Sequence, residues 1–187
     1  MHWDDSGVGG DGLLQVRQCA HPGEVSAGLR RELIDCWVAV SNAGGAVGFL
    51  PPADSSQVSP VAAELIAGLA PRRSRLLLAL ADGVLVGWLN IQRELSPLVA
   101  HWGTVNRLQT HPAFQGRGIG STLMTQARRV AREEMGLEQL HLALRGGTGL
   151  ERFYRRLGWQ VVGSWPGALR IAPGDDRDEI LMVLTPL

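Results

Sequence analysis

The sequence predicts an α/β fold in which helices cover a central sheet, and three observations carry that prediction. Apolar residues switch repeatedly between strand and helix spacing along the chain. Two apolar runs flank Asp82-Gly83, the strongest short hairpin signal present. A glycine-rich turn past mid-chain joins a strand-like segment to a helix-like one. At 187 residues with 45% apolar content, the chain has the size of one domain with a proper core. Met1 to Gly12, rich in Gly and Asp, is expected to be a flexible N-terminal tail, with residues 13–187 forming the single domain.

The elements follow in order. Leu13 to Gln18 is expected as a first strand. From Glu24 to Asn42, Leu29, Leu33, Ile34, Trp37 and Val38 recur at helical spacing, and Ala43-Gly44-Gly45 stops that helix. Phe49 to Ser59, with Pro51-Pro52, is expected as a loop, and Val61 to Leu69 as a short helix. Arg75 to Ala81 and Val84 to Gln92 form the hairpin around Asp82-Gly83. Ala100 to Thr110 is the next strand. In the helix that follows, Ile119, Leu123, Ala127, Val130 and Ala131 share one face, with the arginines on the other. Gln139 to Leu144 is expected as a strand, Gly149 to Leu157 as a helix, and Gln160 to Gly163 and Ile180 to Leu184 as the last two strands.

Net charge is zero, which argues against general nucleic-acid binding, but its distribution is uneven. Residues 1–70 carry three arginines against eight acids, residues 71–170 fourteen against six, and the remainder one against four. The basic middle third suits a phosphate-bearing ligand; an ordinary solvated surface explains it equally well. No apolar run is long enough to span a membrane, and the N-terminus has no signal-peptide pattern. Cys19 and Cys36 have no metal-ligand spacing and read as buried small hydrophobes, which with the missing targeting signals gives a cytoplasmic expectation.

The run Gln115-Gly116-Arg117-Gly118-Ile119-Gly120 carries the most chemistry. Its glycines allow a tight turn whose N–H groups approach an anion, and the helix behind it adds the positive end of its dipole, a combination suited to a pyrophosphate. A dinucleotide fingerprint would come early, with an acid about twenty residues on that ends a second strand, whereas Glu138 begins one. A Walker loop needs a lysine, and the chain has none. The run resembles the acetyl-CoA loop of the GNAT N-acetyltransferase superfamily, whose pattern is Gln/Arg-x-x-Gly-x-Gly/Ala. His111-Pro112 and Phe153-Tyr154-Arg155-Arg156-Leu157-Gly158-Trp159 stand where that family has its strand end and its Tyr-containing helix.

The order β-α-α-β-β-β-α-β-α-β-β is that of the superfamily, and implies a mixed, mostly antiparallel central sheet with helices on both faces. The resemblance also implies acetyl-CoA as cofactor. Backbone groups of Leu108, Gln109 and Thr110 would pair with its pantetheine arm and polarise the acetyl carbonyl, and the amides of Gln115, Gly116, Arg117, Gly118, Ile119, Gly120 and Ser121 would hold its pyrophosphate. Arg117 either adds charge there or is a solvated loop arginine. Tyr154, the chain's single tyrosine, occupies the position of the family's proton donor; the alternative is that it only packs its helix on the sheet.

Gly44-Gly45-Ala46-Val47-Gly48-Phe49, Leu140-His141-Leu142 and the Gly163 to Pro166 segment are similar to tabtoxin-resistance acetyltransferases and actinobacterial relatives, over most of residues 37–187. Those relatives carry a glutamate where this chain has Thr104, and an aspartate two places after Leu-His-Leu, where Ala143-Leu144 follows here. Both carboxylates expected to help deprotonate the amine are therefore missing. The base has moved (His101, Glu151 and the remoter Asp35 are candidates), or water passing Thr104 and Asn106 carries the proton, or the domain only binds CoA. The water route ranks first, with Thr104 as its catalytic group.

Six of the ten aromatic residues are tryptophan. The substrate-facing candidates are Trp37, Phe49, Trp88, Trp102 and Thr104, each of which also reads as a packing residue. The expected activity is direct acetyl transfer from acetyl-CoA to a primary amine of a small molecule, in an antibiotic- or toxin-resistance role. A tabtoxin-like compound or an aminoglycoside such as kasugamycin would be the substrate, and a homodimer the expected assembly. Two rivals remain: a protein or peptide N-acetyltransferase, which needs an open groove, and a catalytically silent acyl-CoA-binding sensor.

Overall fold

The computed structural model describes residues 14–187; the expected tail and Leu13 lie outside the described residues. Its strands are β1 (Leu14–Cys19), β2 (Ser74–Ala81), β3 (Val84–Arg93), β4 (Trp102–Thr110), β5 (Gln139–Arg145), β6 (Gln160–Ala172) and β7 (Asp175–Leu184). They form one sheet in the order β1-β2-β3-β4-β5-β7-β6. Every neighbouring pair is antiparallel except β4 and β5, which run parallel. Its helices are α1 (Ala27–Asn42), α2 (Ser55–Ala67), α3 (Ile119–Arg129) and α4 (Leu150–Arg156). This is the mixed, mostly antiparallel architecture that the sequence predicts.

Side-chain alternation along β2 divides the interior into two layers. Leu76 and Leu78 point to the face covered by α1 and α2, where they meet Leu33, Trp37, Val58 and Ile66. Leu77 and Ala79 point to the face covered by α3, where they meet Leu89, Ile91, Leu123 and Ala127. Because both faces are buried, β2 and β3 read as continuous apolar runs and not as alternating ones. Cys19 and Cys36 are free and buried, and burial pushes the Cys36 thiol up to about 12. Among the described residues, no helix is long and apolar enough to cross a membrane.

Two stretches depart from the sequence reading. Helix α2 begins at Ser55, well ahead of the expected Val61, and contains Pro60. The side chain of Asp54 accepts hydrogen bonds from the N–H groups of Ser56 and Gln57, and the Gln57 side chain accepts one from the Asp54 N–H, a capping box that starts the helix inside the expected loop. Strands β6 and β7 extend far beyond the expected pieces and form a long hairpin closed at Pro173-Gly174. Pro166 is tolerated within β6 because that strand is the sheet edge. Helix α3 ends in a wider π turn at Val130–Glu134.

Gly87 on β3 lets β4 and α3 approach closely: a Cβ there would lie 2.7 Å from the Gln109 carbonyl oxygen and 3.2 Å from the Ile119 side chain. Substituting Gly87→Val is expected to cost about 1–3 kcal/mol through overpacking, read as a lowered urea midpoint with an unchanged m-value.

Candidate active site

β4 and β5 pair only at Trp102–Gln139, Gly103–Leu140 and Thr104–His141, and then part. The cause lies on the other side of β4. Asn90 of β3 faces Asn106, but Trp88, two residues back, faces Gln109, three residues on, so β4 carries one extra residue there. This is a β-bulge, and Arg107 within it has a left-handed φ of 55°. Beyond Thr104, the β4 edge that faces β5 pairs with no strand among the described residues. A cavity of about 410 Å³ opens in the gap, walled by Leu108, Gln109 and Thr110 on one side and Leu142 to Leu144 on the other. Gln115, Gly116, Gly120, Phe153 and Tyr154 close one end, and Val40 with Gly45 to Val47 cover it.

The glycine-rich turn leaves β4 through a short 3₁₀ turn at Pro112–Phe114, capped when His111 accepts from the N–H of Ala113. Gly116 and Gly118 both take φ 78°, a conformation that glycine adopts without strain. The first intrahelical bond of α3 runs from Thr122 N–H to Gly118 O at 3.0 Å. The N–H groups of residues 116 to 121 accordingly have no acceptor among the described residues. Six consecutive free donors at a helix start, beside a second cavity of about 310 Å³, match the donor set of a diphosphate, so acetyl-CoA fits the turn.

Arg156 lines that second cavity. Sequence reasoning missed it, although it lies two residues after Tyr154 in the quoted motif. Arg117 instead sets its guanidinium over the Phe114 ring, 5.2 Å from the centroid, and belongs to neither cavity wall. The side chain of Gln115 donates to Thr110 O at 3.2 Å and ties the turn to the strand end.

Tyr154 is buried, packs edge-on against Phe153 and Trp159, and lines the cavity in the strand gap. Burial pushes its phenol up to about 12, so the hydroxyl keeps its proton at any physiological pH. Both sequence readings of this residue therefore have a physical basis: it packs α4 on the sheet, and it belongs to the cavity wall.

The proposed substrate-facing residues separate. Trp37 and Trp88 are each 0% exposed and pack edge to face at 5.0 Å within the core, so neither offers surface to a ligand. Their apolar surroundings on α1 and β3 already favoured packing. Phe49 packs on Trp37 and lines a third cavity of about 440 Å³, between the Gly48–Leu50 segment and the β6–β7 hairpin. Trp102 stacks flat on His141 at 4.2 Å. Thr104, opposite His141 where β4 and β5 still pair, lines none of these three cavities. Asp35, His101 and Glu151 also stand outside their walls. The one carboxylate in the three walls is Glu179 of β7, hidden from sequence reading because the β6–β7 hairpin was foreshortened there. The third cavity adjoins the first through the shared residues Ala46, Ala143 and Leu144.

A parted parallel strand pair, a bulge beside it and a donor-rich turn at the head of α3 define an acyl-CoA-dependent transferase of the acetyltransferase class. Residues 50–159 match the Acetyltransferase (GNAT) family, and the chain belongs to it. It is an acyltransferase, and acetyl-CoA is the family's cofactor. In fold it is similar to a GCN5-related N-acetyltransferase from Kribbella flavida (TM-score 0.73, 21% identity, covering 93% of this chain and 98% of that one). It is similar also to a Salmonella typhimurium acetyltransferase solved with its cofactor acetyl-CoA (TM-score 0.70, 16% identity, 92% and 94% covered). In sequence, it is 40% identical over 76 residues to Elongator complex protein 3 of Dictyostelium discoideum, a match over 41% of this chain. The chain spans 13–14% of the length of the first such curated relatives.

Because the chain holds a single tyrosine, an ultraviolet pH titration reads Tyr154 alone. The expected midpoint is about 12, displaced upward from 10.0 by burial, and a midpoint at the ordinary value would contradict the buried geometry. The sign for stability follows from linkage. This group's contribution is intact below the unfolded value of 10.0 and is lost as pH rises toward 12.

Proposed function

We propose that the protein transfers an acetyl group from acetyl-CoA directly to a primary amine of a small molecule, without an acyl-enzyme. The observation that carries this reading is the junction of two cavities at Ala46, Ala143 and Leu144. The strand-gap cavity suits the thioester end of a cofactor, and the adjoining 440 Å³ pocket has the volume of a small-molecule site. An extended peptide needs a longer open groove, whereas Gly48–Leu50 and the hairpin wall this pocket on two sides. An amine-bearing antibiotic or toxin, of the tabtoxin or aminoglycoside kind, is the substrate class we assign, in a resistance role.

In this reading the amides of residues 116 to 121, with Gln115 and Arg156, hold the diphosphate. The unpaired edge of Leu108, Gln109 and Thr110 holds the pantetheine arm, and one of its amides stabilises negative charge on the acyl oxygen. Acetyl-CoA supplies an activated thioester carbonyl and a thiol leaving group. Tyr154 presents its phenolic proton to the departing sulfur. Against a thiol pKa of about 8.5, a phenol near 12 would lose that proton only at a cost of roughly 5 kcal/mol, so Tyr154 acts by hydrogen bonding and solvent supplies the proton. The amine loses its own proton to water in this pocket, whose wall includes Glu179. Cys36 takes no part as a nucleophile, since burial keeps it protonated.

A thiol-release assay over antibiotic and toxin amines tests the reading, with calorimetric titration of acetyl-CoA beside it. We expect acetyl-CoA binding and turnover of at least one free amine. Tyr154→Phe is expected to lower kcat about 100-fold while acetyl-CoA affinity stays the same. Glu179→Gln is expected to lower kcat/KM for the amine while acetyl-CoA affinity stays the same. Absence of acetyl-CoA uptake would overturn the reading, and uptake without thiol release from any amine would reduce the domain to a binder.

A further inference from the structure

Arg107 is the one charged side chain in the wall of the strand-gap cavity, and the mechanism above gives it no task. It also lines a polar groove of about 260 Å³ on the α1/α2 face, together with Glu64, Asn90 and Gln92. Its surroundings hold it without neutralising it. The guanidinium lies 5.0 Å over the Trp37 ring, and that ring is fixed because Trp37 Nε1 donates to Val47 O at 2.9 Å. A side chain at Gly48, in the wall of the 440 Å³ pocket, would begin 4.0 Å from Arg107 Nε.

No acceptor meets this cation. Its Nε is buried with no hydrogen-bond partner, and no carboxylate of the described residues forms an ion pair with it. The other two arginines near the amine pocket are already engaged: Arg145 donates to Gly44 O, and Arg170 makes a two-point pair with Asp176. A half-buried guanidinium without an anion is costly, and burial pulls its pKa below the ordinary value. The bulge adds to that cost, because a non-glycine residue at φ 55° is strained. These costs fall on a side chain that lines the strand-gap cavity and whose Nε lies 4.0 Å from where a side chain at Gly48 would begin.

We propose that the amine substrate also carries a carboxylate-type anion, and that Arg107 is the specificity residue that receives it. The proposal rests on the amine-acetylation reading above. Arg107 packs against Trp37 and lies beside Gly48 of the amine-pocket wall, and it does not line the cavity at the head of α3, so we assign the anion to the acceptor and not to the diphosphate. Glu179 lines the amine pocket opposite Arg145, and Arg107 lies beside Gly48 of the same wall, so the acceptor site is flanked by charges of both signs, as suits a zwitterionic small molecule.

Paired acceptors test it: amino acids with a free carboxylate, and the same compounds as carboxamides. The wild type should favour the carboxylate in kcat/KM, and Arg107→Gln should reduce that preference by roughly 10- to 100-fold, the range for a lost charge-assisted hydrogen bond. Arg107→Lys should restore part of it. Calorimetry with acetyl-CoA on Arg107→Gln checks that the variant is folded and its cofactor site intact. Equal preference in wild type and Arg107→Gln would overturn the proposal. So would a change in selectivity for succinyl-CoA over acetyl-CoA, which would assign the cation to the acyl chain. Should no amine be acetylated, the amine reading fails separately. A titration of the CoA-loaded protein with a simple carboxylate, followed by tryptophan fluorescence, then decides on Arg107. Binding in wild type and none in Arg107→Gln supports the site, and no binding in either sinks it.

Discussion

The extra residue in β4 is the constraint on which the rest of the site depends. A regular β4 would continue its ladder with β5 and seal the sheet from Thr104 onward. One inserted residue turns the strand out of register, frees its edge, and leaves the wedge between Leu108 and Leu142 in which the main cavity lies. The glycine-rich turn then has a definite place, because the end of β4 sets where α3 begins. Gly87 permits the close contact that holds this arrangement against the neighbouring strand. The sheet therefore carries a deliberate fault, and the cavity lined by Tyr154 is built around it.

The two halves of the site use different physics. The turn at residues 116 to 121 offers main-chain donors, aligned by two left-handed glycines and the start of a helix. The proposed acceptor side offers side chains: Arg107 against Trp37, Phe49 against the same ring, and Glu179 on the hairpin. The indole of Trp37 stands at the centre of that second group without touching solvent. It supports the guanidinium on one side and anchors the Gly44–Leu50 segment through Val47.

How much of this was legible in the sequence follows from the range of the interactions involved. The β2–β3 hairpin, the α3 face and the glycine-rich turn are written in neighbouring residues, and the structure has them where local patterns put them. The start of α2 was also local, in Asp54-x-x-Gln57, but Pro51-Pro52 and Pro60 obscured it. Pro173-Gly174 likewise marks the β6–β7 turn, whose flanking strands are too polar to stand out, as expected of a hairpin at the sheet edge. The bulge was not legible, because it is a mismatch between two strands and neither strand contains it alone. Arg107 and Glu179 become site residues only through that mismatch and through the hairpin, and so they too were out of reach. Trp37 and Trp88 show the reverse error, in which a chemically suggestive side chain turns out to be filling.

The six free amides at the head of α3 have a consequence for how the chain tolerates change. Main-chain donors belong to no side chain, so substitution at most of these positions leaves them in place; only proline deletes one, and only loss of the left-handed glycines re-aims them. On the proposed acceptor side there is no such insurance, since in that reading one replacement at Arg107 or Glu179 rewrites the charge that the amine would meet. Under the proposed function, a lineage of such chains would exchange one guest for another while the main-chain donors at the head of α3 stay in place.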